Sequence, residues 1–127
     1  MPRARTFLWI ASAIMLATAG FHFMGWFLAR GQFAGPAQPL VELMWFSLDV
    51  DWLVVAGLWF AAGYGGAALL RPLVIISAII PLAAAVAMFF VIGPAFFGLW
   101  LLGLAGAVAI IGAIRLGDEA MAVTPPV

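Results

Sequence analysis

The fold is decided first by residues 6–29, which read TFLWIASAIMLATAGFHFMGWFLA and are followed by Arg30 and Gly31. His22 is the one side chain in this stretch that can carry a charge near neutral pH. A helix needs about 20 mostly apolar residues to cross a bilayer. Because the stretch is longer than that and contains no proline, the sequence predicts a transmembrane helix over residues 6–29.

A secretory signal peptide is the alternative interpretation of this same segment. Two arginines precede the apolar run, and the small residues Ala17 and Ala19 have the spacing of a cleavage site. However, the apolar run continues beyond them to Leu28, whereas the apolar part of a signal peptide has about 7–15 residues. The sequence therefore favours a retained, spanning helix over a cleaved leader.

Composition extends the membrane interpretation to the whole chain. Of its 127 residues, 68% are hydrophobic and 8% are charged, and the mean hydropathy is +1.25. A soluble domain carries about 25% charged residues because its surface faces water. So few charges leave no polar surface for a soluble protein, and the chain is predicted to be an integral membrane protein.

Charge and cysteine content exclude several classes of partner and cofactor. The formal net charge is zero and the chain has no lysine, which excludes the basic surface of a nucleic-acid-binding protein. The absence of cysteine excludes disulfides, thiolate metal sites, iron–sulfur clusters and thioether-linked haem. A single histidine excludes bis-histidine haem within one chain. We predict no metal site and no resident cofactor, and no phosphate-binding loop or nucleophile elbow is present.

Three further apolar segments complete the predicted fold, an all-α membrane protein with four transmembrane helices in an antiparallel bundle. The helices are predicted over residues 6–29, 40–62, 70–91 and 95–116 of a single domain, 1–127. Turn-forming residues separate them at 31–39, 63–66 and 92–94. Gly117 is predicted to end the fourth helix, which leaves residues 118–127 as a short disordered tail.

Small side chains predict where the helices approach each other. Helices in lipid associate through close packing, because the hydrophobic effect offers little between them. The fourth predicted helix carries Ala105, Ala109, Gly112 and Ala113 along one side. We expect this side to face a neighbouring helix.

Arginine placement predicts the orientation in the membrane. In a four-span chain, Arg3, Arg5, Arg71 and Arg115 fall on one side of the bilayer and Arg30 on the other. Cytoplasmic loops and termini carry the excess of Lys and Arg. The sequence therefore predicts a multi-pass membrane protein with both termini in the cytoplasm.

The candidate functional residues are the polar and aromatic side chains that interrupt the apolar spans. A charged side chain at the centre of a bilayer costs roughly 2.5–3.5 kcal/mol or more, so it persists where it has a partner, water or a task. The candidates for a ligand or proton site are His22, Glu42, Trp45, Asp49, Trp52 and Asp51.

Helical geometry separates the acids into two groups. Glu42 and Asp49 are seven residues apart and share a face with Trp45 and Trp52. Asp51 lies about 200° round the helix from Asp49 and therefore faces elsewhere. A second interpretation stays open, in which the helix begins near residue 50, Asp49 caps it and Glu42 lies on an interfacial segment.

Depth in the membrane suggests a pair between the first two helices. His22 lies about 10 Å from the outer end of helix one, and Asp49 about 15 Å from the outer end of helix two. A hydrogen bond between them would satisfy both groups in a low dielectric, and Thr18 is expected to extend it. The pair is interpreted either as a structural clamp or as part of an outward-facing pocket. That pocket would be lined by His22, Trp45, Asp49 and Trp52, with Glu42 at its mouth.

The layout resembles the small, largely uncharacterised four-helix inner-membrane proteins of bacteria, the DoxX-like size class among them. The features that carry the resemblance are His22 within Gly20-Phe21-His22, the segment Trp45 to Trp52, and the hairpin at Gly93-Pro94. Some proteins of that class are associated with quinone-linked redox complexes. The resemblance therefore implies a location in the bacterial inner membrane and a lipophilic partner, a quinone or a lipid. It also implies association with other membrane subunits or as a homo-oligomer.

Three functions follow as expectations. The first is an accessory or structural subunit of a membrane assembly, with a His22–Asp49 clamp between helices one and two. The second is a proton-coupled transporter or a binder of a small lipophilic ligand. The third is a small membrane enzyme that uses His22 as acid and base. The sequence leans towards a role without catalysis.

Overall fold

A computed structural model describes residues 3–33, 35–65 and 68–123, and over these residues the protein is all-helical. The four long helices are α1 (Ala4–Ala29), α2 (Gln38–Gly65), α3 (Arg71–Val91) and α4 (Phe97–Val123). Short 3-10 turns at Arg30–Gln32 and Ala68–Leu70 precede α2 and α3. Each of the four helices is long and apolar enough to cross a membrane, which agrees with the predicted fold class and indicates a multi-pass membrane protein.

The fourth helix continues past Gly117, where the sequence predicted its end. Residues 118–123 are helical and not a disordered tail, and residues 124–127 lie outside the described residues. Two contacts hold these last turns. Glu119 accepts a hydrogen bond of 2.8 Å from the backbone N–H of Ala4. A Cβ at Gly117 would lie 2.9 Å from Nη1 of Arg71, so the glycine provides room for that side chain and does not act as a stop.

The helices pack in the order α2, α1, α4, α3, and neighbours run antiparallel. Extensive contacts join α1 to α2, α1 to α4 and α3 to α4, whereas α2 touches α3 over a short stretch. The bundle therefore has a terminal end, which holds residues 4, 65, 71 and 123, and a loop end, which holds residues 29–38 and 91–97.

The small residues along one side of α4 face a neighbouring helix, as predicted. Ala105, Ala109 and Ala113 are fully buried. A Cβ added to Gly112 would lie 2.7 Å from Cδ2 of Leu8, itself fully buried on α1. Close backbone approach of this kind is how helices gain dispersion energy in lipid.

Two further hydrogen bonds that involve side chains tie helices together away from the loop end. Ser12 Oγ on α1 donates to the carbonyl oxygen of Ala56 on α2 at 2.8 Å. Trp59 Nε1 on α2 donates to Ser77 Oγ on α3, also at 2.8 Å. The second bond joins two helices that touch over a short stretch only, so it fixes the terminal half of α2 against α3.

The connection between α3 and α4 is short and apolar. Gly93 adopts a φ of 101°, a conformation that glycine reaches without strain. The N–H groups of Ile92 and Gly93 both donate to the carbonyl oxygen of Met88, which closes the end of α3. Trp100 Nε1 then donates to the carbonyl oxygen of Pro94 at 2.9 Å and holds the start of α4 against the turn.

Candidate functional site

The position of Asp49 within α2 excludes the capping interpretation. The helix is continuous from Gln38 to Gly65, so Asp49 lies well inside it and caps nothing. Glu42 is likewise helical and not on an interfacial segment. The prolines at 36 and 39 are compatible with this start, because proline is tolerated before and within a first helical turn.

His22 and Asp49 form the hydrogen bond that their matched depths predict. His22 Nδ1 and Asp49 Oδ1 are 2.9 Å apart, and their side chains are 15% and 10% exposed. With Asp49 ionised, the imidazole carries its proton on Nδ1 and donates to the carboxylate. The bond joins α1 to α2 in the half of the bundle near the loop end.

Two tryptophans of α2 enclose the imidazole of His22. The Trp45 ring stacks on it with a centroid distance of 4.3 Å and an interplanar angle of 17°. The Trp52 ring meets it nearly edge-on at 4.9 Å and 64°. Trp45 Nε1 also donates to the backbone carbonyl of His22 at 3.0 Å. The ring plane of the histidine is therefore fixed from two sides.

The backbone bond from Trp45 and the wider aromatic cluster were missed from the sequence. Trp26 is buried and its ring lies 5.6 Å from that of Trp45, with Phe46 at 5.8 Å from Trp26. The spacing of four residues between His22 and Trp26, which places both on one face of α1, was the available signal. Tryptophan close to the end of a membrane helix is also common as an interfacial anchor, so the position of Trp26 did not by itself indicate a role near His22.

Three other predicted features lie outside this centre. Glu42 accepts a hydrogen bond from Gln38 Nε2 at 3.1 Å, so its acid is paired within its own helix. Thr18 Oγ1 donates to the carbonyl oxygen of Ile14 and does not extend the His22–Asp49 pair. Asp51 is exposed on another side of α2. The structure thus brings together His22, Asp49, Trp45 and Trp52, with neither Glu42 nor Asp51 in contact.

Asp49 keeps one oxygen without a partner. Oδ2 is buried, with less than 1 Å² of its surface accessible, and no described residue gives it a hydrogen bond. Asp49 as a whole is 7% exposed. A buried polar atom left unpaired costs about 1–3 kcal/mol, and more if it is charged. Such an atom in a folded protein needs an explanation, and a functional role is one of them.

Two spaces adjoin the pair and differ in character. A small void of about 20 Å³ touches His22, with Trp52 and Met88 among the residues that line it. It is large enough for one water, but its walls are apolar and Asp49 is not one of them. A water in this void would therefore lack the 2–4 polar partners that hold buried water, and it would not reach Asp49.

The second space is an open groove of about 260 Å³ between α1 and α2. Its lining residues are Leu16, Ala19, Gly20, Phe23, Asp49 and Leu53. Asp49 is the single ionisable residue among them, and a side chain added at Gly20 would meet no atom within 4 Å. The groove is therefore an apolar recess with one carboxylate in its wall.

A metal site does not fit these residues. Within the described ranges, no three histidine, cysteine or acidic side chains come together in a way that would hold a metal ion. The His22–Asp49 pair supplies at most two ligands, and both belong to the hydrogen bond.

Comparisons with known proteins leave the chain's own residues as the basis for function. No protein-family model matches the chain, and searches of curated proteins and of solved structures find no similar protein.

Proposed function

We propose that this is a multi-pass protein of the bacterial inner membrane that binds a small lipophilic molecule in the groove between α1 and α2. The orientation with both termini in the cytoplasm rests on Arg3, Arg5 and Arg71, which belong to the terminal end, whereas Arg30 belongs to the loop end. In that orientation, His22 and Asp49 lie in the outer half of the membrane.

The observation that carries the proposal is the unpaired Oδ2 of Asp49. A pure structural clamp would satisfy both oxygens, because an unpaired one subtracts from the stability that the bond supplies. Here one oxygen binds His22 and the other is without a donor, while the residue lines an open recess. The carboxylate is thus held in place by one oxygen and retains acceptor capacity for a ligand on the other.

The chemistry of the acceptor defines the ligand. An ionised carboxylate accepts hydrogen bonds and donates none, so the ligand must bring a donor such as a hydroxyl or an amine. The terminal torsion χ2 of aspartate has a broad energy minimum, so a small rotation of the carboxylate turns Oδ2 towards a donor in the groove. A quinol headgroup and a lipid hydroxyl both have this chemistry.

The size of the groove limits what enters it. An apolar cavity of about 150 Å³ accommodates benzene, so about 260 Å³ holds a headgroup of roughly one ring. The rest of the molecule would extend between α1 and α2 into the lipid. Apolar lining from Phe23 and Leu53 suits a ligand that arrives from the bilayer.

A matched pair of probes tests the proposal. 4-Nonylphenol and 4-nonylanisole have the same body, and methylation of the oxygen removes the donor alone. We expect the phenol to raise the unfolding temperature of the purified protein in detergent. A ligand that binds the native state at a hundredfold excess over Kd raises the free energy of unfolding by about 2.7 kcal/mol. The anisole should have little effect. Equal shifts from both would refute the donor requirement, and no shift from either would refute binding in the groove.

Two variants locate the effect. Asp49→Asn keeps an oxygen for His22 and replaces Oδ2 by an amide N–H group, so we expect folded protein that no longer responds to the phenol. Gly20→Leu fills the groove where there is open space, and it should also abolish the response. Gly57→Leu is the matched control, because Gly57 on α2 also has open space around it and does not line the groove.

A second candidate function is an accessory or structural subunit in which the His22–Asp49 bond clamps α1 to α2. It is favoured by the number of contacts that converge on His22, namely the bond to Asp49, the Trp45 stack and the bond from Trp45 to the His22 carbonyl. In this case neither probe would stabilise the protein, and the effect of His22→Ala and Asp49→Asn would be a loss of stability alone, larger for His22→Ala.

A further inference from the structure

Asp51 is an acid without a partner near the middle of a membrane helix. It lies about 20 Å along α2 from Gln38 and about 21 Å from Gly65, at 1.5 Å per residue. Its side chain is exposed, and no described residue forms a hydrogen bond or an ion pair with it. Acids inside membrane spans almost always face a bundle interior or a water-filled cavity, and this one faces neither.

The surface around Asp51 is otherwise suited to another helix. Met44, Ser47 and Val54 lie one or two turns away on the same side of α2, and all three are exposed. We refer to these three residues with Asp51 as the Asp51 face. Ser47 Oγ donates to the carbonyl oxygen of Met44 and therefore does not donate to Asp51. The α2–α3 contact is short, which leaves much of this side of α2 uncovered.

We propose that the Asp51 face is the contact surface for a different membrane helix that carries a basic side chain at mid-depth. A cation there would pair with Asp51 in a low dielectric and remove the cost of an isolated acid. A membrane helix that provides lysine or arginine at this depth has the complementary charge.

A second copy of this chain does not supply that charge. The five basic residues of the chain are arginines, and four of them lie at or next to helix ends. The fifth, Arg115, lies in the final third of α4 and already has an interaction. His22 is bound to Asp49. A copy inserted in the same direction would set its own Asp51 face against this one, and the two acids would repel.

Association with synthetic helices in phosphatidylcholine vesicles tests the partner's chemistry. The probes are polyleucine helices of about 20 residues with lysine, glutamate or leucine at the centre, each labelled for energy transfer to a fluorophore at the N-terminus of the full chain. We expect the lysine helix to bind roughly 5- to 30-fold more tightly than the leucine helix, as interhelical polar contacts do in lipid. The glutamate helix should bind no better than the leucine helix.

Variants of the chain identify the acid responsible. Asp51→Leu and Asp51→Asn should reduce binding of the lysine helix to the level of the leucine helix, and Asp51→Lys should transfer the preference to the glutamate helix. Because Asp51 is exposed, these variants are expected to fold, which circular dichroism checks. Asp118→Asn is the control, since Asp118 is an exposed acid near the end of α4.

Three outcomes would overturn the proposal. The first is a lysine helix that binds no better than the leucine helix. The second is an equal loss of binding in Asp118→Asn, which would assign the effect to overall charge. The third is energy transfer between copies of the chain that Asp51→Leu abolishes, which would make a second copy the occupant of the Asp51 face.

Discussion

Removal of either partner of the His22–Asp49 bond is expected to destabilise the protein by an amount that the geometry bounds. Interhelical hydrogen bonds in membranes average about 0.6 kcal/mol and reach about 1.7 kcal/mol in double-mutant cycles. This bond is short at 2.9 Å, it is shielded from solvent, and it involves a carboxylate, so it belongs at the upper end. We expect a coupling free energy of about 1–2 kcal/mol between His22→Ala and Asp49→Ala.

The single variants should differ from each other. His22→Ala removes the bond and also two ring contacts with Trp45 and Trp52, each worth about 0.5–1.5 kcal/mol, which gives a total near 3 kcal/mol. Asp49→Ala loses the bond, but it also removes the desolvation penalty of the unpaired Oδ2. We therefore expect it to destabilise the protein less than His22→Ala. Asp49→Asn keeps an acceptor for Nδ1 and should cost least.

The assay is reversible unfolding in mixed micelles by titration with SDS, followed by far-ultraviolet circular dichroism. Asp51→Ala serves as the matched control because it removes an acid from the same helix without breaking a bond. The coupling is the difference between the double variant and the sum of the single ones. Additivity within about 0.3–0.5 kcal/mol would refute the reasoning, because sites that do not interact behave in that way.

Two further predictions concern the packing of the bundle. Gly112→Ala should destabilise the protein despite its gain in helix propensity, because its Cβ would lie 2.7 Å from Leu8, and overpacking costs about 1–3 kcal/mol. Gly57→Ala, which meets no atom within 4 Å, should instead stabilise it by up to about 1 kcal/mol, and SDS unfolding of both variants would show opposite signs if the contact is as close as described. Trp59→Phe should cost about 0.5–1.5 kcal/mol by removing the bond to Ser77. It should also speed amide exchange at the terminal ends of α2 and α3, and unchanged exchange there would contradict a tie between these helices.

The number and type of helices were predictable because the membrane imposes a length and a polarity on every span. The ends of the helices were harder to predict, and the end of α4 shows the reason. A glycine followed by acids is typical of a helix stop. At Gly117, however, the missing side chain accommodates Arg71 from another helix, and this contact between residues far apart in the chain outweighs the local signal.

The centre of the candidate site was partly predictable, because the depth of a residue in a membrane helix follows from its position in the sequence. His22 and Asp49 were paired by depth alone, because an antiparallel arrangement brings equal depths together. The bond from Trp45 to the His22 carbonyl depends on how far α2 is rotated about its own axis. The hydrophobic pattern of the sequence does not determine that rotation, because α2 is apolar on most of its sides. Glu42 was expected at the pocket mouth, but it pairs with Gln38, a residue that the sequence placed in a turn and that begins α2.

The turn at residues 92–96 has a consequence for how the chain enters the membrane. This turn contains no charged residue, so its passage across the bilayer carries no penalty for desolvating an ion. In the proposed orientation, Arg71 and Arg115, which flank the hairpin, both stay on the cytoplasmic side. In that orientation, α3 and α4 can insert together as a helical hairpin whose turn, at Gly93, crosses the bilayer first.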